Sequence, residues 1–315
     1  MKKGLQRVGW MGKSKTNAVK KGFVSIIIPQ WNGKELLGQT LNAISKNTLY
    51  RNYEVIVVDN NSTDGSVEML KEAKKKGLVH KLILNERNMG FAFANNQGFE
   101  ASDAEYCFML SNDTIPQKGW LSDAVQIAES DPRIGSVGIQ TTTPYGFEHG
   151  KYAVKAVVRE RLSVCGAAML MRKEAIDLVG PLDAENFSPV YGEETDWNFR
   201  AHNAGFRVLE SCRSIVIHVG SPSAKKRGGN KWQYTLMNER RLMAMLCNLS
   251  LPDFLRFVPG LALIFLNSIR HLQLHWLLQS YWNNLKMLPR TMELRKKKRA
   301  VSRAARQEWE KRHRN

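Results

Sequence analysis

From residue 23 onward, short apolar runs rich in β-branched residues alternate with longer segments of helical period. No other feature of the chain restricts its fold as much. Phe23 to Ile28 (FVSIII) reads as a buried strand and Glu35 to Ser45 as a helix. Glu54 to Val58 is the next strand, followed by a helix over Ser66 to Lys76; Val79 to Leu84 and Glu105 to Leu110 are two more strands, with a helical stretch from Phe91 to Ala101 between them. Strand alternating with helix predicts a parallel sheet covered on both faces. With 315 residues, 43% of them hydrophobic, the chain can bury such a core and still carry an appendage.

Sheets of this kind bind ligands beyond the carboxyl ends of their strands. Turn-forming polar residues stand at that edge here. Pro29-Gln30-Trp31-Asn32-Gly33 follows the first strand, Asp59-Asn60-Asn61-Ser62-Thr63-Asp64-Gly65 the second, and Ser111-Asn112-Asp113 the fourth. The middle section, roughly 135 to 220, is less regular, with strands expected at Ser136 to Gln140, Leu162 to Met171 and Arg207 to His218 and a helix starting near Glu194. A helical period returns at Trp232, which sets the expected organisation: a basic arm over 1–22, a catalytic domain over 23–230, and a helical, basic, membrane-associating region over 231–315.

Five groups of residues could carry chemistry. Asp59 can accept hydrogen bonds from a base or ribose, or it can close an Asx turn, and the residues leave both open; Asp64 reads more simply as a helix cap. Asp113 ends an apolar strand on a carboxylate, which suits a hard divalent cation beside nucleotide phosphates but also a turn before Pro116. Glu193, Glu194 and Asp196 open a helix, where an acid can take a proton from an acceptor hydroxyl or simply favour the helix dipole. His218 closes an apolar strand and is either a ligand or structural. Asn88, Gly90 and Phe91, with Asn95 and Asn96, combine a glycine that permits close backbone approach with a helix N-terminus.

In order and spacing, the segments IIIPQWNG, EVIVVDNNSTDGS, NMGFAFANNQGF, YCFMLSNDTIPQKGWL, CGAAMLMRKEAIDLVGPLD and YGEETDWNFR resemble family 2 glycosyltransferases of the GT-A fold, and within them the rhamnosyltransferase-type branch. The likeness covers about residues 23 to 220. It implies a Rossmann-like, mixed and mostly parallel sheet flanked by helices, and inverting transfer from a nucleoside-diphosphate sugar, dTDP-rhamnose or a UDP-sugar. It also implies site residues. Pro29, Trp31, Asn32, Asp59, Asn61, Asn88, Gly90, Phe91, Asn95 and Asn112 would bind the nucleotide sugar, Asp113 and His218 would hold Mg²⁺ or Mn²⁺, and Glu194 or Glu193 would be the base. Two positions depart from the family pattern: Ser111 replaces the first acid of the metal motif, and Glu194 stands where an aspartate is usual.

Charge is concentrated at the ends. Residues 1–21 contain seven Lys or Arg and no acid, and residues 286–315 contain twelve against three Glu, so most of the +18 lies outside the middle of the chain. Such ends attract polyanions, lipid headgroups among them. Phe254 to Leu285 is apolar and aromatic but interrupted, with the uncharged run Phe257 to Ile269 too short for a span, which predicts a pair of amphipathic interfacial helices rather than a bilayer span. Trp276, Tyr281 and Trp282 beside Lys286, Arg290 and the run Arg295 to Arg299 suit a headgroup interface; the alternative is a helix packed on the core with a solvated charged tail. Four scattered cysteines predict buried thiols in a reducing compartment, and no apolar segment follows the basic N-terminus. Together these place the protein in the cytoplasm, peripheral on the inner face of the cell membrane, with a glycan or lipid-linked acceptor.

Two other classes compete. A nucleic-acid binder would interleave aromatic stacking platforms with its charges, and a nucleotidyltransferase would carry a Gly-rich basic loop after the first strand. The sequence contains neither, and nucleic acid is not an expected partner.

Overall fold

The computed structural model describes residues 19–148, 154–220 and 222–314; residues 1–18 of the expected basic arm lie outside them. The first half runs β1 (Lys20–Gln30), α1 (Lys34–Asn47), β2 (Tyr53–Asp59), α2 (Ser66–Lys75), β3 (Lys81–Leu84), α3 (Phe91–Glu100), β4 (Ala104–Leu110), β5 (Thr114–Pro116) and α4 (Trp120–Glu129). It continues with β6 (Ile134–Thr142), α5 (Pro144–Glu148), β7 (Val158–Glu160), β8 (Ala168–Arg172), α6 (Lys173–Val179), α7 (Ala184–Phe187), α8 (Glu193–Asn203) and β9 (Arg207–His218). Four helices follow: α9 (Pro222–Asn248), α10 (Leu251–Arg270), α11 (Leu274–Lys286) and α12 (Leu288–Arg312).

The strands form one sheet in the order β3-β2-β1-β4-β8-β6-β9-β5, with β7 alongside β9. Pairs β3-β2, β2-β1 and β1-β4 are parallel, as is β6-β9; β8 runs against both β4 and β6 and makes the sheet mixed. After β1 the chain moves outward to β2 on one side and later returns to β4 on the other. That reversal opens a crevice at the carboxyl ends of β1 and β4.

Successive strand residues point to opposite faces, so a strand covered on both sides reads as one apolar run. Ile26, Ile28, Val55 and Val57 pack with Leu37, Leu70 and Trp120 on one face, whereas Ile27, Ile56 and Met109 pack with Phe99, Trp197 and Phe206 on the other. The expected strand Leu162 to Met171 is shorter in the structure, pairing only as β8. Its apolar start is buried for another reason: Val164 fills the space over Gly138, where an added Cβ would stand 2.5 Å from it.

The C-terminal helices depart most from expectation. The expected boundary at 230/231 falls inside α9. Helix α12 lies against the catalytic body, and much of its basic run is committed there. Lys298 is buried, with Nζ at 2.6 Å from Asp196 Oδ1 and 2.8 Å from Asp183 Oδ2. Arg295 donates to the carbonyls of Leu246 and Leu249, and Arg299 to Leu249. For α12 the plainer alternative therefore holds. Asp196 also accepts from Arg200 Nε at 2.9 Å and Asn248 Nδ2 at 2.8 Å, so one carboxylate ties α8 to α9 and α12. Burial alone would raise its pKa, but the charges of Lys298 and Arg200 outweigh burial and hold it below the ordinary value.

Helix α10 contrasts with α12. Phe254, Phe257 and Leu261 turn inward onto a cluster built from Phe187, Phe199, Met243 and Leu249. Leu251, Leu255, Val258, Phe265, Leu266 and Ile269 are exposed, at the spacing of one helix face. Among the described residues it is the one helix long and apolar enough to cross a bilayer by length and composition.

Candidate active site

A cavity of ≈ 360 Å³ occupies the crevice. At one end it is lined by Pro29, Gln30 and Trp31 after β1, Asn60 after β2, and Asn88, Gly90 and Phe91 at the start of α3. Asn112 joins this end through Gln30, and at the other end stand Ser111, Asp113, Cys165, Gly166, Tyr191, Glu193, Glu194 and His218, with Trp232 and Gln233 of α9 also on the lining.

Local geometry explains how the acids reach it. Tyr191 and Gly192 are both left-handed, at φ 79° and 86°, and turn the chain sharply into α8 so that its first two residues face the cavity. A Cβ at Gly192 would stand 3.0 Å from the Phe187 ring and from Arg240 Cβ. A non-glycine residue in left-handed backbone is uncommon and gathers at functional sites, and Tyr191 is such a residue. Gly166 makes room from the opposite wall, where an added Cβ would lie 2.9 Å from Glu194 Cγ.

Electrostatically, the acid end is unfinished. Glu193 is 2% exposed and its Oε2 has no hydrogen-bond partner. Burial first, and then the charge of Glu194, push its pKa well above the ordinary carboxylate value. Burial likewise raises Glu194, against hydrogen bonds that include the Thr195 hydroxyl donating to Oε1 at 3.0 Å. Asp113 is 3% exposed, with Oδ1 at 3.3 Å from His218 Nε2 and Oδ2 buried without a partner. The pairing of β5 with β9 sets this geometry by placing Thr114 opposite His218. The hydrogen bond to Asp113 raises the imidazole against the lowering effect of burial.

This pair fits a divalent cation. An orphaned carboxylate oxygen beside an imidazole is a donor set such ions accept. No group of three His, Cys, Asp or Glu residues suited to a metal occurs among the described residues, so diphosphate and water would have to complete the shell.

At the other end the polar groups satisfy one another. Asn112 donates to Gln30 Oε1 at 2.5 Å, Gln30 to Ser66 Oγ at 2.8 Å, and Asn60 to the Gly90 carbonyl at 3.2 Å. Asp59 is buried behind this wall rather than in it, accepting from Ser62 N at 2.9 Å and Ser62 Oγ at 2.6 Å, so here the turn-forming role of Asp59 is the observed one. Asn32, Asn61 and Asn95 also stand off the cavity. Asn32 accepts from Thr63 N, Asn61 is exposed at φ 63°, and Asn95 is buried with Nδ2 on the Phe91 carbonyl. Asp64 is a cap, as expected, and of two helices: Oδ1 accepts from Ser66 N of α2 at 3.1 Å, and Oδ2 from Gly33 N at 2.6 Å and Lys34 N at 2.9 Å at the start of α1.

Of the nucleotide-sugar candidates, Pro29, Trp31, Asn88, Gly90, Phe91 and Asn112 line the cavity, as do Asp113, His218, Glu193 and Glu194. The sequence reading assigned no roles to Gln30, Asn60, Gly166 or Tyr191. The left-handed turn at 191–192 carries a Tyr-Gly signal, but only the three-dimensional approach of Gly166 to Glu194 reveals why that glycine is needed. Cys165 also departs from expectation: three cysteines are buried, but Cys165 is exposed at the cavity wall.

Comparison with known proteins bears on the family and the fold. Residues 25–178 match the family model described as Glycosyl transferase family 2. Glycosyltransferase AglE of Haloferax volcanii is 28% identical over 210 residues, covering 64% of this chain and 68% of that protein. The poly(ribitol-phosphate) β-N-acetylglucosaminyltransferase TarP of Staphylococcus aureus is 27% identical over 161 residues, about half of each chain (49% and 49%). Among solved structures, the mannosyltransferase PcManGT of Pyrobaculum calidifontis, in complex with GDP-Man and Mn²⁺, superposes with a TM-score of 0.59 at 19% identity, over 90% of this chain and 85% of that one. The GT-A expectation for the fold holds.

Proposed function

This chain carries a family 2 glycosyltransferase domain and is a glycosyltransferase, and from that premise we propose that it moves a sugar with inversion from a nucleoside-diphosphate donor to a hydroxyl of a glycan or lipid-linked acceptor. The observation that carries the reading is the convergence of Asp113, His218 and the adjacent pair Glu193 and Glu194, drawn from three places in the chain, on one cavity. The satisfied Asn and Gln wall receives the nucleoside, and the acid end receives diphosphate and sugar. Asp113 and His218 would hold a Mg²⁺ or Mn²⁺ ion, which would supply positive charge where the diphosphate departs. Glu194 accepts the proton of the acceptor hydroxyl as its oxygen bonds to the anomeric carbon. The bond from that carbon to the diphosphate oxygen breaks on the opposite face, and the nucleoside diphosphate leaves with the electron pair. Glu193 is buried beside it, where burial and the charge of Glu194 disfavour its ionised form.

The site is tested by thermal unfolding with UDP, GDP and dTDP, with and without Mn²⁺. One nucleotide should raise the midpoint in the presence of the metal, and Asp113→Ala should abolish the rise. Indifference of the wild-type protein to all three would overturn the reading.

Membrane association belongs to the same proposal, with α10 and α11 as the expected interfacial pair and without the basic residues that α12 commits to the catalytic body. Leu278, Trp282 and Leu285 of α11 are exposed as well, and Lys286 lies 5.3 Å from the Trp282 ring centroid. An apolar stripe flanked by a tryptophan and a lysine suits the inner leaflet of a cell membrane, with the catalytic body on the cytoplasmic side. In flotation with vesicles containing anionic lipid, the wild-type chain should rise and the double variant Leu255→Ser, Leu266→Ser should remain below. Equal flotation of the two would exclude this face.

A further inference from the structure

Helix α9 sets two adjacent arginines against the two adjacent glutamates of α8, and their surroundings differ. Arg240 is engaged: Nη1 donates to the Asn186 carbonyl at 2.5 Å and Nη2 to that of Ser188 at 3.4 Å, which holds the loop before α8. Arg241 is half-buried, and its Nη1 donates to Asn238 Oδ1 at 3.5 Å; among the described residues it forms no ion pair, although its charge acts to lower the pKa of Glu194. It lines a second cavity, ≈ 140 Å³, with Tyr191, Gly192, Glu194, Thr195 and Met237. Glu194 and Tyr191 belong to both cavities, so the carboxylate forms part of the wall between them.

We infer that this second cavity binds an anionic group of the acceptor, a phosphate ester or diphosphate, with Arg241 as its cation. The inference rests on the glycosyltransferase reading above and assigns the acceptor's chemical class. A half-buried guanidinium that shares its cavity with Glu194 but forms no ion pair with it keeps donors for a further anion, and its planar fork matches phosphate oxygens. Arg241 does not line the larger cavity, so the donor's own diphosphate is not its partner. An acceptor anchored there by its phosphate brings a nearby hydroxyl to Glu194 from the side opposite the donor, the direction that inversion needs. The anion can come from a prenyl-type lipid or from a phosphodiester polymer, and both present the same oxygens to Arg241.

Isothermal titration of the full chain, with the donor site saturated by whichever nucleotide stabilises it and Mn²⁺, tests this with geranyl diphosphate, a diglycerol phosphodiester and neutral geraniol. At least one of the anions should bind, tenfold or more weakly to Arg241→Gln, with Arg241→Lys in between and geraniol not binding. Tighter binding of geranyl diphosphate would identify the lipid source, and the reverse order the polymer. Anion binding that is absent, or equal in wild type and Arg241→Gln, would overturn the inference. Nucleotide stabilisation is the internal control: its loss in wild type would sink the glycosyltransferase reading itself, whereas its presence without an Arg241-dependent anion would sink only this inference.

Discussion

The two ends of the main cavity are built on opposite principles. At the β1–α3 end, Gln30, Asn60 and Asn112 hydrogen-bond to protein groups, so the wall is shaped before any ligand arrives. At the α8 end, Asp113 Oδ2 and Glu193 Oε2 are buried with no partner. A buried polar atom without a hydrogen bond costs free energy, more so when it is charged. The contrast separates a part of the site that holds its shape from a part completed only by what binds there.

The largest expected effect lies at the unfinished end. Replacing Glu194 by Gln keeps the shape and removes the proton acceptor, so turnover should fall by about 10²–10⁴-fold with nucleotide stabilisation intact. Burial raises Glu194 above 4.5, so the wild-type rate should decline toward acid along a limb centred above that value. If Glu194→Gln keeps its rate, the base lies elsewhere.

Glu193 should show the cost of incompleteness directly. Its folded pKa is raised above 4.5, so ionising it costs more in the folded state than in the unfolded one. That penalty begins as pH rises past 4.5 and is complete above the folded value. Glu193→Gln should therefore be more stable than wild type by about 1–3 kcal/mol at alkaline pH, with the gap closing as pH falls from the folded value to 4.5. Denaturant midpoints at several pH values measure it, and a pH-independent difference would contradict the assignment.

The smallest effect belongs to the finished end. Asp64 caps α1 from the neighbouring turn, and Asp64→Ala should cost about 1 kcal/mol in unfolding free energy while nearly sparing turnover. Burial raises this carboxylate, but hydrogen bonds from Ser66, Lys34 and Gly33 outweigh it and lower its pKa, so its contribution should fade as pH drops through the folded value. A loss of turnover comparable to that of Glu194→Gln would erase the distinction between the two ends.

The sheet was legible because its signal is local: β-branched runs such as Val55 to Val58 carry both period and burial within a few residues. Asp113 and Glu194 were legible because strand and helix ends are readable and the strand order sends them to one edge. Asp59 was not, since the same Asp-x-x-Ser pattern serves either a ligand or its own turn, and only coordinates show both of its oxygens occupied by Ser62. The tail misled for a related reason. A run of five basic residues has one composition whether it meets lipid or a buried aspartate, and Asp196 lies 102 residues from Lys298.

That separation has a consequence for biosynthesis. Helix α8 is made long before α12, so until Lys298 emerges from the ribosome Asp196 lacks one of its two cationic partners, and removing one partner of a buried ion pair costs about 3–5 kcal/mol. The helix bearing both candidate bases is thus secured late, and a nascent chain does not acquire a settled catalytic cleft until nearly all of the polypeptide described here has been translated.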